Sequence, residues 1–295
     1  MSLYKYVSFE NLKRILEGSI RFTQPGAFND PFEMVPELYV PEGFGCEDVE
    51  ISFSVTAPRR EPILGALDDD FESDYCSDWN SRKILGSLNQ SIGILCLSMN
   101  DASLLMWSHY ADGYSGAIVQ FDETHRFFSD HFEVEYSEHR PKIDIASYID
   151  GDEPIPIAEL CVKAKEWEYE KEVRVVRKLT DCRREGPDNS FPIYVKDVPS
   201  DCIEAVIFGE RMSVRNQREI WELVKDMKDV SLYLDAVSNW GYEFRREPIK
   251  LAGMKNPILS PRTAHIFANQ EGKHGEMARY LLEKHPLSGM VNDTL

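Results

Sequence analysis

The run Lys171–Leu179, KEVRVVRKL, alternates charged and β-branched residues at a period of two. Successive side chains on a strand point to opposite faces. Val173 and Val175 therefore fall on one side, and Glu172, Arg174 and Val176 on the other. Strands are also predicted at SIGILCLS, GAIVQFD, HFEVEYS, IEAVIFGE and SLYLDAV. Between them, MWSHYADGYSG predicts a helical turn and loop. Ser213–Lys228 predicts a helix with Ile220, Leu223, Val224 and Met227 as its apolar stripe. At the N-terminus, Leu3–Val7 reads as a strand and Ser8 as the cap of a helix. Leu12, Ile15 and Leu16 space that helix and Gly18 ends it, before a second strand at Ser19–Thr23. This mixture predicts an α+β fold of mixed and antiparallel sheets with flanking helices.

A chain of 295 residues can bury a sizeable core. The expected organisation is a main domain over residues 1–250, with an acidic insertion at about 42–80, and a helical appendage over 251–295. The formal net charge of −18 works against loose association with nucleic acid or an anionic membrane. No apolar run approaches the roughly 18 residues of a membrane span, and no basic-then-apolar leader opens the chain, so a cytoplasmic setting is expected. The six cysteines (Cys46, Cys76, Cys96, Cys161, Cys182, Cys202) show neither metal-ligand nor C-x-x-C spacing and read as reduced thiols. Cys96 and Cys161 lie in apolar runs, as small core residues do. The seven histidines are scattered, and no phosphate loop or G-x-G-x-x-G follows a strand, so no metal is predicted. Asp68–Asp70 reads as a solvated face.

Three segments carry candidate chemistry. In WEYEKEVRVV, an extended backbone puts Glu170, Glu172 and Arg174 on one face, with Trp167 and Tyr169 just before them. Acids and an arginine on a strand face are commonly a solvated surface. The adjacent rings instead suggest an aromatic wall, against which a carboxylate acquires a raised pKa and a catalytic task. MWSHYADGYSG packs Trp107, Ser108, His109, Tyr110, Asp112 and Tyr114 into one turn, a density of donors and ring faces suited to a pocket. His109 is the candidate general base. Ser108 is a poor nucleophile for it, because adjacent residues rarely face each other. The plainer alternative makes His109 a brace for the turn. In FNDPFE, Asn29–Asp30–Pro31 form a rigid turn. That turn either seats Phe28 and Phe32 in the core or presents Asn29 or Glu33 to a ligand.

Four stretches in order, LYKYVSFENLKRILEGSIRFTQPGAFNDPFE, ILCLSMNDASLLMWSHYADGYSGAIVQFD, VKAKEWEYEKEVRVV and IEAVIFGERMS, resemble a bacterial family of unknown function, number 2971. That resemblance supplies no activity. The opening strand–helix–strand with its N-L-x-x-I-L-x-G core also resembles the start of ADP-ribosyltransferase-fold toxins. There a first-strand His or Arg holds NAD, a middle element follows, and a late strand brings a glutamate. The corresponding positions here are Tyr4, Lys5 and Tyr6, which depart from the usual His or Arg, then Ser108–His109–Tyr110, then Glu172 or Glu170.

The resemblance implies NAD as substrate and transfer of its glycosyl group. Glu172 would stabilise the oxocarbenium-like state, Arg174 would orient Glu172 or bind phosphate, and Tyr110 or Trp107 would stack on nicotinamide. By analogy of fold alone, the setting implied is a toxin or defence effector. Two other classes fit the same segments. One is a non-catalytic regulatory module that binds a small molecule or a partner in the same cleft. The other is a metal-dependent nuclease or hydrolase using Glu170, Glu172 and Asp101.

Overall fold

The hydrophobic alternation of the chain resolves into strands, most of whose sheet neighbours are distant in sequence. The computed structural model describes residues 2–39, 81–144, 156–186 and 191–286. The expectations for the acidic stretch at 42–80, for Asp68–Asp70 and for Cys46 and Cys76 lie outside the described residues.

Strand β1 (Ser2–Val7) runs into helix α1 (Phe9–Leu16), where the Ser8 hydroxyl accepts the Asn11 amide and Leu12 and Ile15 are buried. Gly18, at φ +92°, turns the chain into β2 (Ser19–Phe22). A left-handed residue here releases the helix end with no Cβ clash. Next come β3 (Glu37–Tyr39), helix α2 (81–91), β4 (Ile92–Ser98), helix α3 (Leu104–Tyr110) and β5 (Ala117–Asp122). Short strands β6 (His131–Glu133), β7 (Glu135–Ser137) and β8 (Lys142–Asp144) precede helix α4 (Ile157–Leu160) and β9 (Val162–Ala164). A 3-10 turn, Lys165–Glu170, leads to β10 (Glu172–Lys178), β11 (Arg183–Glu185) and β12 (Ile193–Asp197). The rest is β13 (Ile203–Phe208), helix α5 (Val214–Val224), β14 (Ser231–Val237), β15 (Phe244–Lys250), helix α6 (Ala264–Phe267) and helix α7 (Lys273–Lys284).

Eight strands form the main sheet in the order β15-β14-β13-β5-β1-β4-β10-β6, and β2, β12 and β11 form a second, antiparallel sheet. Within the main sheet only β13 and β14 are parallel, and α5 connects them. The fold is α+β, as the strand and helix patterns predict. The main core takes Val173 and Val175 from β10, Leu12 and Ile15 from α1, and Ile220, Trp221 and Val224 from α5. It also takes Ala264, Ile266, Phe267 and Ala278 from α6 and α7, so the C-terminal helices share the core of the sheet.

The apolar stripe of α5 differs from the expected one. Leu223 is exposed, Trp221 takes its place inward, and Met227 lies past the end of the helix. β12 and β15 have no counterpart among the predicted strands. The charge-rich sequence of β15, FRREPIK, hides a strand because it occupies an edge. HFEVEYS is split rather than continuous. β6 joins the main sheet edge and β7 pairs in parallel with β9.

One irregularity positions the site. β1 pairs with β5 along six residues and β10 with β4 along seven, but β1 and β4 share only the pair Tyr4–Ser98. The two strands part beyond that rung. The Lys5 amino group bridges the gap, donating to the Cys96 carbonyl at 2.6 Å.

Candidate functional site

Alternation along β10 sends Val173 and Val175 into the main core and turns Glu172 and Arg174 to the other face. That face is covered rather than solvated, by the 28–34 loop and by β9. Arg174 is 0% exposed, Glu172 5%, Glu33 6% and Lys163 6%, which removes the surface reading of this strand. Glu170 is not on the strand. It ends the 3-10 turn, and Lys171 in left-handed conformation (φ 43°) turns the chain so that Glu170 and Glu172 both face Lys163.

The result is a buried cluster of three carboxyls and two cations. Arg174 holds Glu172 with two nitrogens, Nε to Oε1 at 2.8 Å and a terminal nitrogen to Oε2 at 3.0 Å. It also pairs with Glu33, and its guanidinium lies over the Phe28 ring. Lys163 Nζ donates to Glu170 Oε2 (2.6 Å) and Glu172 Oε2 (3.2 Å) and pairs with Glu33 Oε1 (3.1 Å), against the face of Trp167. Tyr110 donates its hydroxyl to Glu170 Oε1 at 2.6 Å. The Tyr136 hydroxyl accepts the Glu172 amide at 2.7 Å.

Electrostatics follow from this geometry. Burial pushes the Glu172 carboxyl up, but Arg174 and Lys163 pull it further down, to about 2, and it stays ionised. The aromatic wall therefore does not raise Glu172 as the sequence suggests, because the wall also carries Lys163. Glu33 moves the other way. Burial lifts it and the Glu172 charge adds to that, outweighing Arg174 and Lys163. Three carboxyls against two cations leave one in excess, and Glu33 is the one lifted. Lys163 is depressed by burial but raised on balance by Glu172, Glu33 and Glu170, so it keeps its charge. The Tyr110 phenol is raised by burial and by Glu170, and stays a donor.

This cluster forms one end of a cavity of about 560 Å³. Tyr4, Lys5, Tyr6, Asn29, Tyr110, Trp167, Glu170 and Glu172 all line it, so one pocket gathers most of the candidate residues from four separate segments. Its far end is formed by α1, β2 and β12, with Arg14 and Arg21 on the wall. Four candidates do not line it. Arg174 sits behind Glu172, fully buried. Trp107 is core, packed edge-on to Tyr6 (5.5 Å) and against Phe244 (6.0 Å). Ser108 and His109 are exposed on the outer side of α3, because a helix that buries Met106, Trp107 and Ala111 turns the intervening residues outward. His109 meets the site through ring contacts with Trp167 at 6.5 Å and with its neighbour Tyr110 at 6.3 Å.

The FNDPFE turn is also resolved. Phe32 is 61% exposed rather than core, while Glu33 enters the buried cluster. Asp101 bonds Arg246 at 2.8 Å and does not line the cavity with the glutamates. Among the described residues no group of three or more His, Cys, Asp or Glu could hold a metal ion. Lys163 and Arg174 occupy the positions that a cation would take. The described residues contain no helix long and apolar enough to cross a membrane.

Lys163 and Tyr136 escape the sequence reading. Lys163 carries one weak signal, the apolar pair Cys161–Val162 before it, which Lys165 and Glu166 just after it obscure. Tyr136 carried none, since only the fold brings β7 to the start of β10.

Residues 106–175 match the model of the family described as "Protein of unknown function (DUF2971)". Over that stretch the chain resembles DUF2971. The DUF2971 match covers somewhat less than a quarter of the 295 residues and contains Tyr110, Lys163, Trp167, Glu170, Glu172 and Arg174. Glu33, β1, α1, β2 and β12, which also line the pocket, lie outside it. No curated protein and no solved structure matches the chain.

Proposed function

We propose that the chain is an NAD-consuming glycosyl-transfer enzyme of the ADP-ribosyltransferase type. The observation that carries this reading is the meeting of an ionised Glu172 with Tyr4, Tyr6, Tyr110 and Trp167 in one cavity of ligand size. The bond to be broken joins C1′ of a ribose to a pyridinium nitrogen. Aromatic faces attract the pyridinium charge, and a fixed carboxylate stabilises the cation that develops on the ribose as nicotinamide leaves with the bonding electrons. The oxygen or nitrogen of an acceptor O–H or N–H then bonds to C1′, and its proton passes to water. Arg174 and Lys163 keep Glu172 ionised and in place, so its charge is organised before the reaction begins. Arg174 is a positioning residue. By analogy of fold alone, such an activity suits a toxin or defence effector.

The test is release of nicotinamide from NAD by the purified chain, in water and with protein and nucleic-acid acceptors. Turnover that falls about a hundredfold or more in Glu172→Gln is the expected result. A wild-type chain that neither binds NAD nor releases nicotinamide overturns the reading.

A second reading rests on a specific observation: both oxygens of Glu172 and both of Glu170 already accept hydrogen bonds. A cluster so satisfied also suits a non-catalytic binding module. Saturable NAD binding with no nicotinamide release under any acceptor condition would favour it.

A further inference from the structure

The chain carries 51 acids against 33 bases, so an arginine anywhere in it has an excess of carboxylates to pair with. Arg14, in the last turn of α1, and Arg21, on β2, do not pair. Both line the cavity, and among the described residues neither makes a hydrogen bond or ion pair. Glu10 lies on the same wall, one helical turn from Arg14, and does not bond it. Arg21 is also within the field of Arg14: burial first and then that like charge depress its guanidinium. Lys5, between this end and the glutamates, is depressed chiefly by burial and also feels Arg21. Both guanidiniums reach solvent, which screens their mutual repulsion, and an anion bound between them would pair with both. Each guanidinium offers a planar fork of N–H donors suited to phosphate oxygens. The cavity wall therefore carries the paired buried glutamates on one group of elements and two unpaired guanidiniums on another.

We propose that Arg14 and Arg21 form a diphosphate subsite, which binds the nucleoside diphosphate part of the ligand whose glycosidic end meets Glu172. This rests on the glycosyl-transfer reading for the identity of the ligand but not for the existence of the subsite. A single carboxylate would satisfy one guanidinium. A diphosphate carries enough charge and oxygens for both, and its ribose leads toward the opposite end of the cavity.

The experiment is calorimetric titration of the full chain with ADP and with inorganic pyrophosphate, at fixed ionic strength, for wild type and for the double variant Arg14→Gln/Arg21→Gln. Both side chains are exposed, and circular dichroism with a thermal melt checks that the double variant is folded. Expected are saturable binding of both probes to wild type, affinity at least tenfold weaker in the double variant, and an intermediate loss in Arg21→Lys. No binding of either probe to wild type, or equal affinity in a folded double variant, overturns the subsite. Preference for a single-stranded oligonucleotide over ADP also overturns it. The two ideas fail separately. Arginine-dependent ADP binding without nicotinamide release defeats the enzyme and keeps the subsite. NAD turnover by the double variant at unchanged KM does the reverse.

Discussion

Removing Arg174 leaves Glu33 and Glu172 buried with Lys163 as their one paired cation among the described residues. Breaking a buried ion pair from one side costs about 3–5 kcal/mol, because the remaining charge can neither ionise comfortably nor reach water. Arg174→Met should lower stability by that amount in urea unfolding, and adding Glu172→Gln to it should recover part of the loss. Acid should weaken the same cluster. The Glu172 carboxyl sits at about 2 in the folded chain against its usual 4.5, so the stability it contributes is complete above 4.5 and lost as pH falls toward 2. Glu33, lifted instead, contributes in the opposite sense and loses its share as pH rises through its folded value. The urea midpoint followed from pH 6 to pH 2 should fall, and the fall should be shallower in Glu172→Gln. At this scale the sequence was half legible. Period-two spacing singled out Glu172 and Arg174 and the proline turn raised Glu33. Their burial, and the pairing of Glu172 and Glu33 with Lys163, depend on loops whose approach no local pattern records.

Among the elements, α3 and the turn after it show where local pattern succeeds and where it misleads. MWSHYADGYSG does form a helix and turn, with Asp112 and Tyr114 at positive φ. Yet residue density is no guide to facing, since the helix sends Trp107 into the core and His109 into solvent while only Tyr110 reaches Glu170. His109→Ala should therefore leave nicotinamide release within about threefold of wild type, while Tyr110→Phe, which deletes the bond to Glu170, should reduce it by more. Gly116 closes the turn against β1. A Cβ there would stand 2.1 Å from the Val7 carbonyl oxygen and 2.9 Å from that of Ala111. Neither obstacle is a movable side chain. Gly116→Ala should cost about 1–3 kcal/mol, read as a lowered melting temperature.

In the whole molecule, the C-terminal helices pack against the main sheet. Phe267 of α6 packs edge-on to Trp221 at 4.8 Å, inside the core that also holds β13 and β14. Phe267→Ala should lose about 3–5 kcal/mol, and the unfolding transition should remain single because one core is being cut rather than a second unit detached. The α+β class was legible because it depends on the strand and helix periods. The order of strands was not, since it is set by which faces meet at a distance.

The single rung between β1 and β4 has a consequence for the tuning of the pocket. A cavity inside one continuous sheet is bounded by the ladder spacing, and only its lining can change. Here the wall is a seam, closed by Tyr4–Ser98 and spanned by one lysine amine. The width available to a ligand is thus adjustable at a position that holds no acid of the buried cluster. A longer or shorter side chain at residue 5 would act as a spacer, altering which molecules enter and also the field at Glu172 and Glu170, which the Lys5 charge reaches.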